Sequence, residues 1–399
     1  MRAYFAPCGL GLGHARRCEV VLKRMRQHEP VEAYFATYSE ALAYVKKKGF
    51  LALEVPPLRI AMKPHGEVDT ERTLRELGYG LKAVHLIGRQ LAHDTTYMAA
   101  VEPDVVIADT RAAAVLAAKL LGLPCVCIVH QIRIYIPRKR RLLRAARLAE
   151  AGLVATIGPI WLMADAVFVP DFPEPFTISL MNLRLPSYFE GRFRLVGPML
   201  EKRPEELPGQ EELKEVLGFR PDEPLVFMPI TGMRWERPFF IRTMLPILSK
   251  LAEDDRFQFV ITLGRPDAGE RVALDKGRFK VLYWVEDFFA YLKACDILIT
   301  RGGHGAILEA MSYGKPMLLI PPPSHTEKML NSLRAKEVGV AKVLLQHELS
   351  VSTVERALRA LIEDERYRKA AQRAMELASN LDAAGSVAEE ALRLAGKWS

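Results

Sequence analysis

The sequence predicts an α/β protein: two Rossmann-like parallel-sheet domains facing across a cleft. Short runs that are apolar on both faces alternate with segments of helical period, as the strands of a doubly covered parallel sheet do. The alternation occurs twice, with a charged, proline-rich stretch at 197–209 between the two series. A length of 399 residues, half of them hydrophobic and 26% charged, suits two buried cores at about 100–200 residues per domain.

The first series opens with a strand at 2–7. A helix follows at 13–27, with Ala15, Val20, Val21, Leu22 and Met25 at helical spacing. A strand at 31–37, a helix at 39–48 and a strand at 51–55 come next, then a long helix over 69–100. Strands at 104–108 and 125–129 flank a helix at 112–121, and 192–196 is the last strand of this half. Strands in the second series fall at 225–229, 257–263, 280–284, 296–300, 316–320 and 341–345. Its helices fall at 237–252, 287–294, 306–313 and 327–337, and the chain closes in helices from 351, a long one running over 365–397. The domains expected are 1–197 and 209–380, joined by a linker at 198–208, with 381–399 a helix that packs back on the first domain.

Composition narrows the function classes. No run reaches the roughly 18 apolar residues of a membrane span, and the N-terminus lacks a signal-peptide pattern, so a cytoplasmic location is expected. Cys8, Cys18, Cys125, Cys127 and Cys295 show no zinc spacing and read as reduced, buried thiols. The net charge of +8 favours anionic partners. Arg133, Arg138, Lys139, Arg140, Arg141, Arg144 and Arg147 lie among Ile132, Ile134, Tyr135, Ile136, Leu142 and Leu143. That stretch reads either as a solvated helix face or as a surface that docks on anionic lipid, placing the protein at the inner face of the membrane. No nucleic-acid module is recognisable. Three asparagines against abundant Arg, Lys and Glu lean toward a thermophilic source.

Four motifs stand at strand ends. The first, Pro7-Cys8-Gly9-Leu10-Gly11-Leu12-Gly13-His14, matches a dinucleotide fingerprint poorly, because His14 replaces the third glycine. A histidine at that place is a candidate general base, an imidazole titrating near pH 6.5; capping or packing is the plainer reading. The second ends in Asp109, which either orients His14, as a triad carboxylate orients its imidazole, or caps the helix after Arg111. The third runs Thr300-Arg301-Gly302-Gly303-His304-Gly305-Ala306-Ile307-Leu308-Glu309-Ala310. Its glycine loop and helix start suit a diphosphate, and Glu309, a turn further on, suits ribose hydroxyls. The fourth, Pro321-Pro322-Pro323-Ser324-His325-Thr326-Glu327-Lys328-Met329-Leu330-Asn331, suits sugar hydroxyls. No DxD stands at a strand end and the histidines are scattered, so no metal site is expected.

The third and fourth motifs resemble the C-terminal signature of GT-B glycosyltransferases, in the group that holds MurG and the UDP-glycosyltransferases. The first motif, the Asp109 strand and Ile128-Val129-His130-Gln131 resemble its archaeal and bacterial MurG-like branch. The resemblance covers essentially the whole chain. It implies an inverting, metal-independent hexosyltransferase with a UDP-sugar donor and no cofactor. It implies His14 as base supported by Asp109, with Gly11, Gly13, His130 and Gln131 on the acceptor side. On the donor side it implies Gly303, His304 and Gly305 at the diphosphate, Glu309 at the ribose, and Glu327, Lys328 and Asn331 near the sugar. Thr231, Gly232, Met233, Arg234 and Arg301 would lie against the phosphates and Val285 beside the base. A hydroxyl acceptor linked to lipid, such as a polyprenyl-diphosphate sugar or a glycolipid, suits the basic stretch, and a monomer or dimer is expected. The chain departs from the plant-type signature at Arg301, Ala306 and Lys328, which replace histidine, serine and glutamine. Alternatives are a UDP-N-acetylglucosamine 2-epimerase, a nicotinamide-dependent oxidoreductase and a non-catalytic sugar-nucleotide sensor.

Overall fold

The computed structural model of the chain describes residues 1–58, 81–133, 135, 143–185, 187–189, 191–230, 237–254, 256–323 and 325–397. They form two compact α/β units, one reaching Glu201 and resuming at Leu381, the other spanning Lys202–Asn380.

The first unit is built on strands β1 (Arg2–Pro7), β2 (Glu32–Thr37), β3 (Leu51–Glu54), β4 (Val105–Asp109), β5 (Cys125–Ile128), β6 (Ala166–Val169) and β7 (Arg194–Leu195). Their order in the sheet is β3-β2-β1-β4-β5-β6-β7 and every pairing is parallel. Alternate side chains face opposite ways, so each strand feeds two cores. Phe5, Phe35, Ile107 and Phe168 pack with Val21, Leu22 and Met25 of α1 (Gly13–Met25). Tyr4, Val106 and Cys127 pack on the other face with Met98 of α3 (Leu81–Val101), Val115 of α4 (Ala112–Leu120) and Trp161 of α5 (Leu143–Trp161); α2 (Ser39–Lys47) lies on the α1 side. Burying each large apolar side chain contributes about 1.5–3 kcal/mol.

The second unit repeats the plan with β8 (Leu225–Pro229), β9 (Gln258–Thr262), β10 (Val272–Asp275), β11 (Phe279–Leu282), β12 (Ile297–Thr300), β13 (Met317–Leu319) and β14 (Ala341–Val343). The order is β10-β11-β9-β8-β12-β13-β14, parallel except for β10, which runs antiparallel to β11 at the edge. Around it lie α6 (Gln210–Val216), α7 (Arg237–Leu251), α8 (Phe288–Ala294), α9 (His304–Ser312), α10 (Thr326–Glu337), α11 (Val351–Glu363) and α12 (Glu365–Ser379).

The long helix expected over 365–397 is two helices. α12 ends at Ser379, and α13 (Ala383–Leu394) starts afresh. Asp382 caps α13, its carboxylate accepting from the Gly385 N–H at 3.0 Å. α13 belongs to the first unit, where Val387, Ala388, Ala391 and Leu392 enter the α1-side core. Four further elements differ from expectation: α5, α6, β6 and β10 are present where no element was expected. Of the helix expected over 69–100, the part before Leu81 lies outside the described residues.

This topology places the motifs. In the first sheet β1 lies between β2 and β4, and the connecting helices change faces there. In the second, β8 lies between β9 and β12. At such reversals the connections part and leave a crevice beyond the carboxyl ends of the strands, where open α/β sheets bind ligands.

Candidate active site

The loop after β1 is shaped from below. A Cβ on Gly9 would meet Tyr38 at 2.3 Å, both its ring and its carbonyl oxygen, so only glycine lets the loop rest on that residue. Gly11 takes a φ of 74° and Gly13 is the first residue of α1. The loop is tied across to β4 by the Cys8 N–H, which donates to the Asp109 carbonyl at 3.1 Å.

His14 lies in the first turn of α1 and caps nothing; the N-cap is Leu12, without a side-chain bond. Its Nδ1 is 2.7 Å from Oδ1 of Asp109, the last residue of β4. Asp109 is wholly buried and does not cap α4, whose N-cap is Arg111. The second nitrogen, Nε2, belongs to a ring that is 14% exposed. The His130 ring, two residues past the end of β5, lies 5.6 Å away centroid to centroid. Gln131 next to it is half-buried.

One functional residue escaped the sequence reading. Arg17, one turn along α1 from His14, donates to Asp109 from Nε to Oδ2 at 2.8 Å and from Nη2 to Oδ1 at 2.9 Å. This is the fork geometry that matches a guanidinium to a carboxylate. The Thr110 hydroxyl adds a bond to Oδ1 at 3.0 Å. Burial pushes the Asp109 carboxyl up, but Arg17 first and His14 next more than offset it, and it titrates well below the usual carboxylate range. The signal in the sequence was a cation three residues after His14, where a helix brings side chains onto one face.

In the second unit the third motif leaves β12 through Arg301-Gly302-Gly303 and enters α9 at His304, with Gly303 as N-cap. Gly302 has a φ of 78°, and a Cβ there would lie 2.2 Å from Ser332 Oγ and 2.7 Å from the Lys328 carbonyl. The loop is thus pressed onto α10, which carries the fourth motif, and the two motifs touch. A helix N-terminus leaves backbone N–H groups without intrahelical partners, a natural seat for an anion. Glu309 is half-buried in the second turn of α9, and Gly305 is exposed at its start. His304 and Arg301 are buried, the Arg301 guanidinium over the Phe240 ring at 5.4 Å. On α10, His325 caps the helix, its Nδ1 accepting from the Lys328 N–H at 3.5 Å, and Glu327 and Lys328 are half-buried. Asn331 is buried, and among the described residues neither end of its amide has a hydrogen-bond partner. Val285, after β11, is buried. Thr231, Gly232, Met233 and Arg234 lie outside the described residues.

Two doubly wound sheets, each with a glycine loop at its reversal, define the GT-B class of glycosyltransferase folds. Comparison with known proteins agrees. The model of the glycosyl transferase family 1 group matches residues 1–159, and that of the glycosyltransferase family 28 C-terminal domain matches 236–387. An uncharacterized glycosyltransferase of Methanosarcina acetivorans is 26% identical over 375 residues, 94% of this chain and 93% of that one. A UDP-N-acetylglucosamine–N-acetylmuramyl-(pentapeptide) pyrophosphoryl-undecaprenol N-acetylglucosamine transferase of Rubrobacter xylanophilus is 27% identical over 46% of this chain and 53% of its own. Among solved structures, the glycosyltransferase SnogD from Streptomyces nogalater superposes with a TM-score of 0.66 at 21% identity, over 99% of both chains, a likeness of fold. The two family models, the MurG-like relative and the shared fold together support a MurG-like/UDP-glycosyltransferase protein of the GT-B type.

Proposed function

We propose that the chain is an inverting, metal-independent hexosyltransferase that moves a hexose or N-acetylhexosamine from a UDP-sugar to a hydroxyl acceptor, without a cofactor. The observation that carries this reading is the 2.7 Å contact between His14 Nδ1 and the buried Asp109 carboxylate. A carboxylate on Nδ1 holds the proton there and leaves Nε2 with its lone pair. Nε2 then takes the proton of the acceptor hydroxyl as the oxygen attacks the anomeric carbon. The bond from that carbon to the diphosphate breaks from the opposite face, and its electron pair leaves with the nucleoside diphosphate. The charge that develops there falls on the N-terminal amides of α9 and its glycine loop. Glu309 accepts from the ribose hydroxyls; Glu327, Lys328 and Asn331 serve the donor sugar, Val285 the base, and His130, Gln131, Gly11 and Gly13 the acceptor.

For the acceptor we favour a lipid-linked sugar. The basic, apolar stretch at 132–147 and the pyrophosphoryl-undecaprenol acceptor in the relative's name support it. None of the described helices is long and apolar enough to cross a membrane, and the reading places the protein at the cytoplasmic face by surface attachment. A thermal-shift screen tests the donor. A ligand at a hundred times its Kd stabilises by about 2.7 kcal/mol. A UDP-sugar should raise the melting temperature where NAD does not. Stabilisation by NAD alone, or conversion of UDP-N-acetylglucosamine to its 2-epimer without acceptor, would overturn the reading.

A further inference from the structure

We propose that Arg17 is a positioning residue for the His14–Asp109 pair, offsetting the carboxylate's charge so that the imidazole rests neutral and able to accept a proton. The inference rests on the reading of His14 as base. Its ground is a triangle of three atoms: Nδ1 of His14 to Oδ1 of Asp109 at 2.7 Å, Nη2 of Arg17 to Oδ1 at 2.9 Å, and Nη2 to Nδ1 at 2.8 Å.

A guanidinium cannot accept a hydrogen bond, which leaves two arrangements. With the imidazole proton on Nε2, Nδ1 would accept from Arg17 but turn its lone pair on an anionic oxygen 2.7 Å away. With the proton on Nδ1, both nitrogens donate to Oδ1, and their hydrogens converge on the oxygen rather than on each other. The second arrangement gives the anionic oxygen two donors, bridges the Nη2–Nδ1 approach through that oxygen, and is the one that frees Nε2.

The same contact sets the charge. A carboxylate against an imidazole, alone, favours the imidazolium, which cannot act as a base. Here the guanidinium is as close to Nδ1 as the carboxylate is, and holds both carboxylate oxygens. Among the described residues, the other groups around the pair do not supply that balance. His130 approaches the ring from the β5 loop. The thiols Cys8, Cys18 and Cys127 lie near the carboxylate, and burial raises all three, so they stay protonated. Arg17 is therefore the cation that offsets Asp109.

The test is an NMR titration of His14 in the full chain, which needs no substrate, run beside a pH profile of kcat/KM. In Arg17→Gln the carboxylate faces the imidazole unopposed. The His14 midpoint should rise by about one pH unit, a tenfold change in the proton equilibrium, and the acid limb of the profile should move with it. Arg17→Lys keeps the charge and should hold the wild-type midpoint. The double variant Arg17→Gln/Asp109→Asn removes both charges and should bring the midpoint back to or below wild type; these two decide the matter if the single glutamine variant fails to fold. An unmoved midpoint in Arg17→Gln, or the same rise in Arg17→Lys, overturns the proposal, since a merely structural arginine would lower activity equally at every pH. If instead His14→Ala keeps wild-type turnover, the base reading fails, and the titration still judges the charge balance by itself.

Discussion

Replacing Asp109 with asparagine keeps the shape of the side chain and removes its charge. The wild-type carboxylate has no solvent exposure and receives four donor contacts, from His14 Nδ1, Arg17 Nε and Nη2, and the Thr110 hydroxyl. The asparagine turns an N–H₂ group toward one or more of these donors and takes this carboxylate's charge from the Arg17 guanidinium, which is only 13% exposed. Removing one partner of a buried ion pair costs about 3–5 kcal/mol. Arg17 retains some access to water, which argues for the lower end, about 3 kcal/mol. At about 2–4 °C per kcal/mol, the transition of the first unit should fall by about 6–12 °C near neutral pH. The loss must also depend on pH. The folded carboxyl titrates below its unfolded value, so its contribution is complete above the unfolded value of about 3.9 and is lost as pH falls toward the folded one. Scanning calorimetry of wild type and Asp109→Asn should show a gap that is present at neutral pH and narrows as pH falls below about 4. A gap near zero at neutral pH, or one that widens in acid, would refute the argument.

Gly302→Ala should destabilise the second unit and weaken UDP binding at least tenfold by calorimetry, because its Cβ would land 2.2 Å from Ser332 Oγ in a backbone with φ of 78°; wild-type affinity would show that the loop yields without cost. Glu309→Ala should raise the donor KM with little change in kcat, and an unchanged KM would remove it from the ribose site. Four of the five thiols are buried, and burial pushes Cys125 and Cys295 up to about 12. A thiol reagent on the native protein should therefore modify at most Cys8 quickly, and all five after denaturation; rapid native labelling of Cys125 or Cys295 would contradict the packing.

Most of both sheets was legible because buried parallel strands are continuous apolar runs: Val105-Val106-Ile107-Ala108 and Ile297-Leu298-Ile299 are apolar throughout and buried throughout. What escaped lacked that signature. α5 contains Gly152, Gly158 and Pro159, which break the helical pattern, and β6 is only four residues, reached through a turn. β10 is exposed along its whole length, an edge strand with no core face to read. The break between α12 and α13 was signalled by Asn380 and Asp382, but the alanine-rich helical period on either side of Leu381 masked it. At the site, the strand-end positions of His14, Asp109 and Gly302 followed from reading each apolar run to its carboxyl end. Arg17 did not, because it stands on α1 beyond the strand-end loop, where a basic residue reads as a solvated one until the pairing of β1 with β4 brings Asp109 beside it.

The measurement that bears most directly on the account is single-turnover sugar transfer by His14→Ala, with donor affinity measured in parallel. If His14 takes the acceptor proton, transfer falls by about a hundredfold or more while the donor Kd stays at the wild-type value. Transfer at the wild-type rate, with the donor bound as before, would contradict it.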